Sequence, residues 1–324
     1  LCELAAHKKR SIVSVATRII LDTDMGTDVD DCLALALVLC SPELELLGVT
    51  CVYADVLLRA RMVLKLLGLA GITDVPVTLG VRRPLLDLVP IYWSGHEGEG
   101  VLEPDDGALQ PSSEHAVDYI IRTVMESPES IHLIAIGPLT NIALALLREP
   151  ELARNLAGLT IMGGVARARS PLEQPYREHN IACDPEAAHV VLTSGAPITL
   201  IPLDVTTQVR IRAEGVQRIR SSGTPFQEIV ARQVEIFPGY QARGFTHLHD
   251  PLAIATLIHP ELVTSYPMHV DIELAGRHAT GATLMRTPSE GAPLNAHVAL
   301  DVDVKRFEEF LIERLSTTAL GPSP

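Results

Sequence analysis

The feature that most constrains this chain is a repeated alternation of short, nearly unbroken apolar runs with longer helical patterns. Runs at residues 17–21, 46–52, 75–79, 131–136, 159–162 and 198–203 read as strands. The stretches at 31–40, 59–69, 113–125, 140–147 and 185–193 read as helices. A strand without polar alternates is covered on both faces, and strands joined by helix-length connections pair in parallel. The prediction is an α/β fold with a mainly parallel central sheet and helices on both faces. With 47% of its 324 residues apolar, the chain can fill both layers. The helix at 31–40 is apolar at nearly every position, so it is covered on most sides. Residues 268–274 and 296–304 read as strands, an antiparallel pair at a sheet edge, and 305–316 as a C-terminal helix. One domain spanning 1–324 is expected. It carries a lid-like, turn-rich loop at about 84–111 and a more polar helical segment at about 210–245.

Ligands of such sheets sit beyond the carboxyl ends of the strands, and the first strand ends in an unusual loop there. Asp22, Asp24, Asp28, Asp30 and Asp31 fall within ten residues, between a buried strand and a buried helix. Crowded carboxylates repel one another unless a cation, protons or helix N–H groups compensate. Helix capping by Asp28, with Asp31 in the first turn, accounts for one or two of them but not for Asp22 and Asp24. A metal site is therefore expected. No cysteine or histidine is interleaved, so the ligands are hard oxygens, favouring calcium or magnesium over zinc and, for a flexible shell, calcium. His249-Asp250-Pro251, at the start of an apolar helix, is a second acidic candidate. The polar triplet Glu178-His179-Asn180 is a third candidate, and surface is its bland reading.

Composition narrows the partners. Lys and Arg number 26 against 40 Asp and Glu, a formal charge of -14, which repels nucleic acid polymers but not a neutral nucleoside. The five cysteines, Cys2, Cys32, Cys40, Cys51 and Cys183, are odd in number and lack zinc-knuckle spacing, so buried free thiols in a reducing, cytoplasmic setting are expected. No stretch has the length and apolarity of a membrane span or the pattern of a signal peptide.

Four segments in order, Asp22-Thr-Asp-Met-Gly-Thr-Asp-Val-Asp-Asp31, Ile136-Gly-Pro-Leu-Thr-Asn141, Met162-Gly-Gly164 followed by Glu178-His-Asn-Ile-Ala-Cys-Asp-Pro-Glu186, and His249-Asp-Pro-Leu-Ala253, make the chain resemble the inosine–uridine-preferring nucleoside hydrolase family over roughly residues 17–304. The resemblance implies that family's Rossmann-like fold, a ribonucleoside substrate, a calcium ion and a homodimer or homotetramer. It also implies roles. Asp24, Asp31, Asp250 and the carbonyl of Ile136 correspond to the calcium ligands, and Asp24 also to the base that activates water. Asp30, Glu178 and Asn180 correspond to ribose-binding residues, and His249 to a histidine near the leaving base. The first motif is two residues longer than the family pattern, so counting from the strand gives Asp28 the place that counting from the helix gives Asp30. The helix start fixes the pair's geometry, which favours Asp30. Asp55 stands where the family usually has asparagine, and Ser94 where its lid usually has histidine, with His96 two residues on. An asparagine common before the Glu-x-Asn segment falls at Leu172, with Gln174 nearby.

The expected reaction is hydrolysis of an N-glycosidic bond by one direct attack of water, with inversion at C1. His249, and secondly His96, are candidates for the leaving base, and Phe237 and Tyr240 for stacking on it. Two rival readings remain from the residues alone. One is a phosphatase similar to the haloacid-dehalogenase-like enzymes, with Asp22 and Asp24 as its aspartate pair. The other is a calcium-stabilised nucleoside-binding protein without catalysis.

Overall fold

A computed structural model describes residues 16–167, 174–288 and 293–317; Cys2 and Leu172 lie outside them. In chain order the strands are β1 (Thr17–Thr23), β2 (Leu44–Cys51), β3 (Val77–Leu79), β4 (Ser112–His115), β5 (Ile131–Ala135), β6 (Gly158–Met162), β7 (Ile198–Ile201), β8 (Arg210–Arg212), β9 (Phe245–His247), β10 (Val263–Ile272), β11 (Thr283–Arg286) and β12 (Ala296–Val302). The helices that matter below are α1 (Asp30–Leu39), α2 (Val56–Leu69), α3 (Ala116–Glu126), α4 (Thr140–Arg148), α5 (His179–Cys183), α6 (Pro185–Leu192), α7 (Leu203–Thr206), α8 (Ala213–Arg220), α9 (Pro225–Ile236), α10 (Pro238–Arg243), α11 (His249–Ile258) and α12 (Val304–Leu315).

Ten strands form one sheet in the order β11-β10-β12-β7-β6-β5-β1-β2-β3-β4. Every pairing from β12 through β4 is parallel, while β10 runs antiparallel to both β12 and β11. The mainly parallel sheet and its antiparallel edge are thus as expected. Successive β1 residues serve opposite faces: Ile19 and Leu21 join one apolar core, Ile20 the other. α1 is buried along its whole length, sandwiched between the sheet and neighbouring helices, including α11. That is why its sequence carries no polar face.

Three elements differ from expectation. Residues 112–115 form β4 before the helix at α3, because alternating exposure there suits a sheet edge rather than a helix face. The segment expected as helical from 210 starts instead with β8, which pairs antiparallel with β9. β11 is an extra edge strand whose four residues alternate half-buried with exposed. Among the described residues, no helix is long and apolar enough to cross a membrane. Cys32, Cys40, Cys51 and Cys183 are buried free thiols, as predicted.

The topology also fixes where a ligand can sit. From β1 the chain moves outward through β2, β3 and β4, then returns to lay β5, β6 and β7 on the other side. The carboxyl ends of β1 and β5 therefore diverge, opening a crevice at the reversal of strand order. The acidic loop 22–31 leaves β1 at that point.

Candidate active site

The crevice is a cavity of about 660 Å³. Its wall includes Asp24, Asp28, Asp30, Asp31, His96, Ile136, Glu178, Asn180, Phe237, His249 and Asp250, so eleven residues singled out from sequence converge from across the chain. Asp55 and Tyr240 do not line it. The Asp55 carboxylate is occupied as the cap of α2, accepting from Leu58 N at 3.1 Å. Tyr240, on α10, packs partly buried against the core. Thr27, Tyr92, Met162, Arg177, His179 and Leu203 also line the cavity. Of these, Thr27, Met162 and His179 sat inside quoted motifs without a role, and Tyr92, Arg177 and Leu203 carried no signal in the sequence.

The acidic loop is shaped by close approaches. Gly26 has φ +110°, and a Cβ there would lie 2.8 Å from Met62 Sδ. A Cβ on Gly137 would lie 2.9 Å from both the backbone nitrogen and Oδ1 of Asp24, so the chain after β5 presses directly on that aspartate. Asp28 is not the cap of α1: the cap position is Val29, and the Asp28 carboxylate accepts from Val29 N at 2.6 Å. The capping explanation therefore does not hold, and Asp28 lies at the cavity wall.

Asp30, Asp31 and Asp250 present carboxylate oxygens within 4.8 Å of one another, all buried. Asp250 reaches them because α11 packs on α1; its backbone nitrogen donates to Asp30 Oδ2 at 3.2 Å. Asp31 also accepts from Thr23 Oγ1 at 2.5 Å. Burial pushes all three carboxyls well above their ordinary range. Repulsion adds to it, from Asp28 and Asp31 on Asp30, from Asp24 on Asp31, and chiefly from Asp30 on Asp250. A buried cluster of oxygens that resists ionising in the absence of positive charge is the donor set a hard divalent cation fits. Asp24 lines the same cavity, with Arg59 Nη2 3.9 Å from its Oδ2.

Glu178, which also lines the cavity, caps α5. Its Oε1 accepts from Asn180 N at 2.7 Å, and its Oε2 from Ile181 N at 3.0 Å and Gly164 N at 3.1 Å. Asn180 Nδ2 donates to the carbonyls of Ile136 at 3.0 Å and Met162 at 3.2 Å. The Ile136 carbonyl thus faces the site with an amide already beside it. His249 Nδ1 lies 2.7 Å from Thr206 Oγ1. Burial, with His247 and Arg243 nearby, pulls its pKa down to about 3, so the ring is neutral at physiological pH. The His96 ring is 6.1 Å from that of Phe237, and Tyr92 meets His179 edge-on at 5.6 Å.

Asp22 plays a different part. It is completely buried, accepting from Thr50 Oγ1 at 2.5 Å and Asn141 Nδ2 at 2.8 Å, and does not line the cavity. Burial raises it to about 7. A carboxylate closed off in this way cannot attack a phosphate, which removes the aspartate pair on which the phosphatase reading depended.

These shifts set a sign for stability. In protein stripped of divalent ions, Asp22, Asp30, Asp31 and Asp250 hold protons in the folded state that they release when unfolded. Their contribution is complete below the ordinary value of 3.8 and is lost as pH rises through about 7 for Asp22 and through the raised range of the others. The melting temperature in chelator should fall between about pH 5 and about pH 8, and calcium should remove most of that fall. Thermal unfolding across pH, with and without calcium, measures it; a flat or rising profile in chelator contradicts the assignment.

The fold and crevice define an α/β enzyme with a polyacidic ligand site at the sheet's switch point. The family described as inosine-uridine preferring nucleoside hydrolase matches residues 19–309, and the chain belongs to it. A pyrimidine-specific ribonucleoside hydrolase of Citrobacter koseri is 37% identical over 315 residues, covering 93% of this chain and 99% of that protein. Among solved structures, a purine-preferring ribonucleoside hydrolase from Gardnerella vaginalis is 31% identical with a TM-score of 0.83, covering 92% of this chain and 98% of its own. A plant nucleoside hydrolase is 29% identical with a TM-score of 0.84, covering 94% and 100%. The chain is accordingly an N-ribosyl hydrolase, and the phosphatase and non-catalytic readings are set aside.

Proposed function

We propose that this enzyme hydrolyses the N-glycosidic bond of a ribonucleoside to free base and ribose, with calcium held by Asp24, Asp31, Asp250 and the Ile136 carbonyl. The observation that carries this is the convergence of buried carboxylates from the two ends of the chain at the sheet's switch point. When bound, a divalent ion supplies a Lewis-acidic centre that grips neighbouring hydroxyls and acidifies water.

The chain's own residues account for the rest. Asp24 accepts the proton of the attacking water. As the glycosidic bond stretches, positive charge grows on the sugar, and the surrounding carboxylates stabilise it in a water-poor cavity. Glu178 has both oxygens engaged by backbone N–H groups, three in all, so it sets the wall and has one lone pair, on Oε1, left for a sugar hydroxyl. Asn180 uses Nδ2 on carbonyls and leaves Oδ1 as an acceptor. With Thr206 donating to Nδ1, the neutral His249 ring carries its proton on Nε2 and offers it as a hydrogen bond to the departing base, whose negative charge that bond stabilises until the base takes a proton from solvent. His96 and Phe237 close over that base. Attack from the face opposite the base inverts C1. A cytoplasmic homodimer or homotetramer accompanies this reading, and sedimentation of the purified protein tests the assembly.

Base release from uridine, cytidine, inosine, guanosine and adenosine, with calcium and with chelator, tests the proposal. No release from any of them, or equal release in chelator, contradicts it. Within the same assay, Asp30→Asn should raise KM by about 10-fold or more through loss of a charged hydrogen bond to the sugar. If Asp28→Asn is instead the more damaging change, Asp28 is the sugar-binding carboxylate.

A further inference from the structure

Arg59 lies on α2 and is completely buried, the largest side chain so enclosed among the described residues. Its guanidinium touches three separate pieces of chain. Nε donates to the carbonyl of Tyr53 at 2.8 Å. Nη1 donates to the carbonyls of Asp24 and, at 2.9 Å, Met25. Nη2 donates to Thr27 Oγ1 at 3.0 Å and faces Asp24 Oδ2 at 3.9 Å. The guanidinium carbon also lies 5.2 Å from the ring centre of Trp93, in the lid-like loop.

The arginine is thus a fork joining the acidic loop, the turn after β2 and the lid. That turn is itself unusual, with Tyr53 at φ +69° and Ala54 at φ +60°, a left-handed pair of non-glycine residues needing external support. Its Tyr53 hydroxyl accepts from Tyr92 N at 2.8 Å, so adjacent lid residues are anchored to the turn and to the guanidinium. Further along, Glu97 accepts from the nitrogens of Ser94 and Gly95 at 2.9 and 2.7 Å and keeps the lid turn compact next to His96.

We propose that Arg59 is a positioning residue that couples the seating of the lid, through Trp93, to the placement of Asp24 at the site. The inference rests on Asp24 being the base and a cation ligand. A simple counter-charge for the buried acids needs only a cation at this place; a coupling element needs the planar fork, which reaches several acceptors and one ring at once. Coupling is reciprocal: if lid seating steadies Asp24, cation binding at Asp24 must tighten the lid.

Trp93 is the chain's one tryptophan, so its emission and its quenching by acrylamide report the lid without any turnover. Calcium alone should reduce quenching of the parent enzyme. In Arg59→Met that response should vanish, while kcat falls by about 10- to 100-fold and KM moves by less than about 3-fold, the pattern of a misplaced base. Arg59→Lys, which keeps the charge and loses the fork, should resemble Arg59→Met. Parent-like turnover and quenching in Arg59→Lys overturn the proposal in favour of a counter-charge. If Arg59→Met does not fold, Trp93→Leu tests the coupling from the lid side: its calcium affinity by calorimetry should fall several-fold, and an unchanged affinity overturns the proposal. Loss of ribonucleoside hydrolysis in the parent enzyme itself would instead count against the proposed reaction, with the fluorescence response to calcium left to judge Arg59.

Discussion

Asp24→Asn should slow base release by about 10³-fold or more and weaken calcium binding in the same protein. Two losses combine in one substitution. A positioned base contributes about 10²–10⁴-fold to rate, and exchanging a ligand carboxylate for an amide removes the negative charge that holds a hard cation. The change is nearly isosteric, so folding should survive it. Asp24 is buried, pressed by Gly137 and flanked by Arg59, and asparagine keeps the same heavy-atom shape. Single-turnover kinetics with saturating calcium separate the two effects. If saturation restores parent-like turnover, Asp24 is a ligand and not the base.

Asp250→Asn and Asp31→Asn should show the opposite balance between stability and function. Each removes a carboxylate from a buried group whose members repel one another. Calcium affinity should fall by about 100-fold or more, since even outer partners of metal ligands cost 10–100-fold. In chelator at about pH 8, however, both variants should melt at a higher temperature than the parent, because one repulsive buried charge has gone. The parent's loss of stability with rising pH should be shallower in them as well. Calorimetry on chelated protein gives the affinities and thermal unfolding gives the rest. Unaltered calcium affinity in both variants rules out the site, and a lower melting point in chelator rules out the repulsion.

Much of this molecule is legible along the chain. The parallel sheet follows from strands without polar alternates, since a strand buried on both faces has nowhere to put a charge. The position of α1 beneath its neighbours follows from its lack of a polar stripe. β4, β8 and β11 were not legible. They are edge or two-strand pieces of three or four residues, too short to carry a period, and the partners of β4 and β8 lie some thirty residues away.

The site divides along the same line. The need for compensation is readable in the order of residues: five aspartates in ten positions beyond an apolar strand repel one another wherever they fold. Which of them come together was settled by packing alone. It sealed Asp22 behind Thr50 and Asn141, placed Asp28 on the wall instead of at a helix cap, and brought Asp250 beside Asp30 across 220 residues. It alone also set Arg59 among Asp24, Tyr53 and Trp93. The reason is physical: burial and the identity of a neighbour are properties of packing between elements, and a side chain's spacing along its own helix or strand does not contain them.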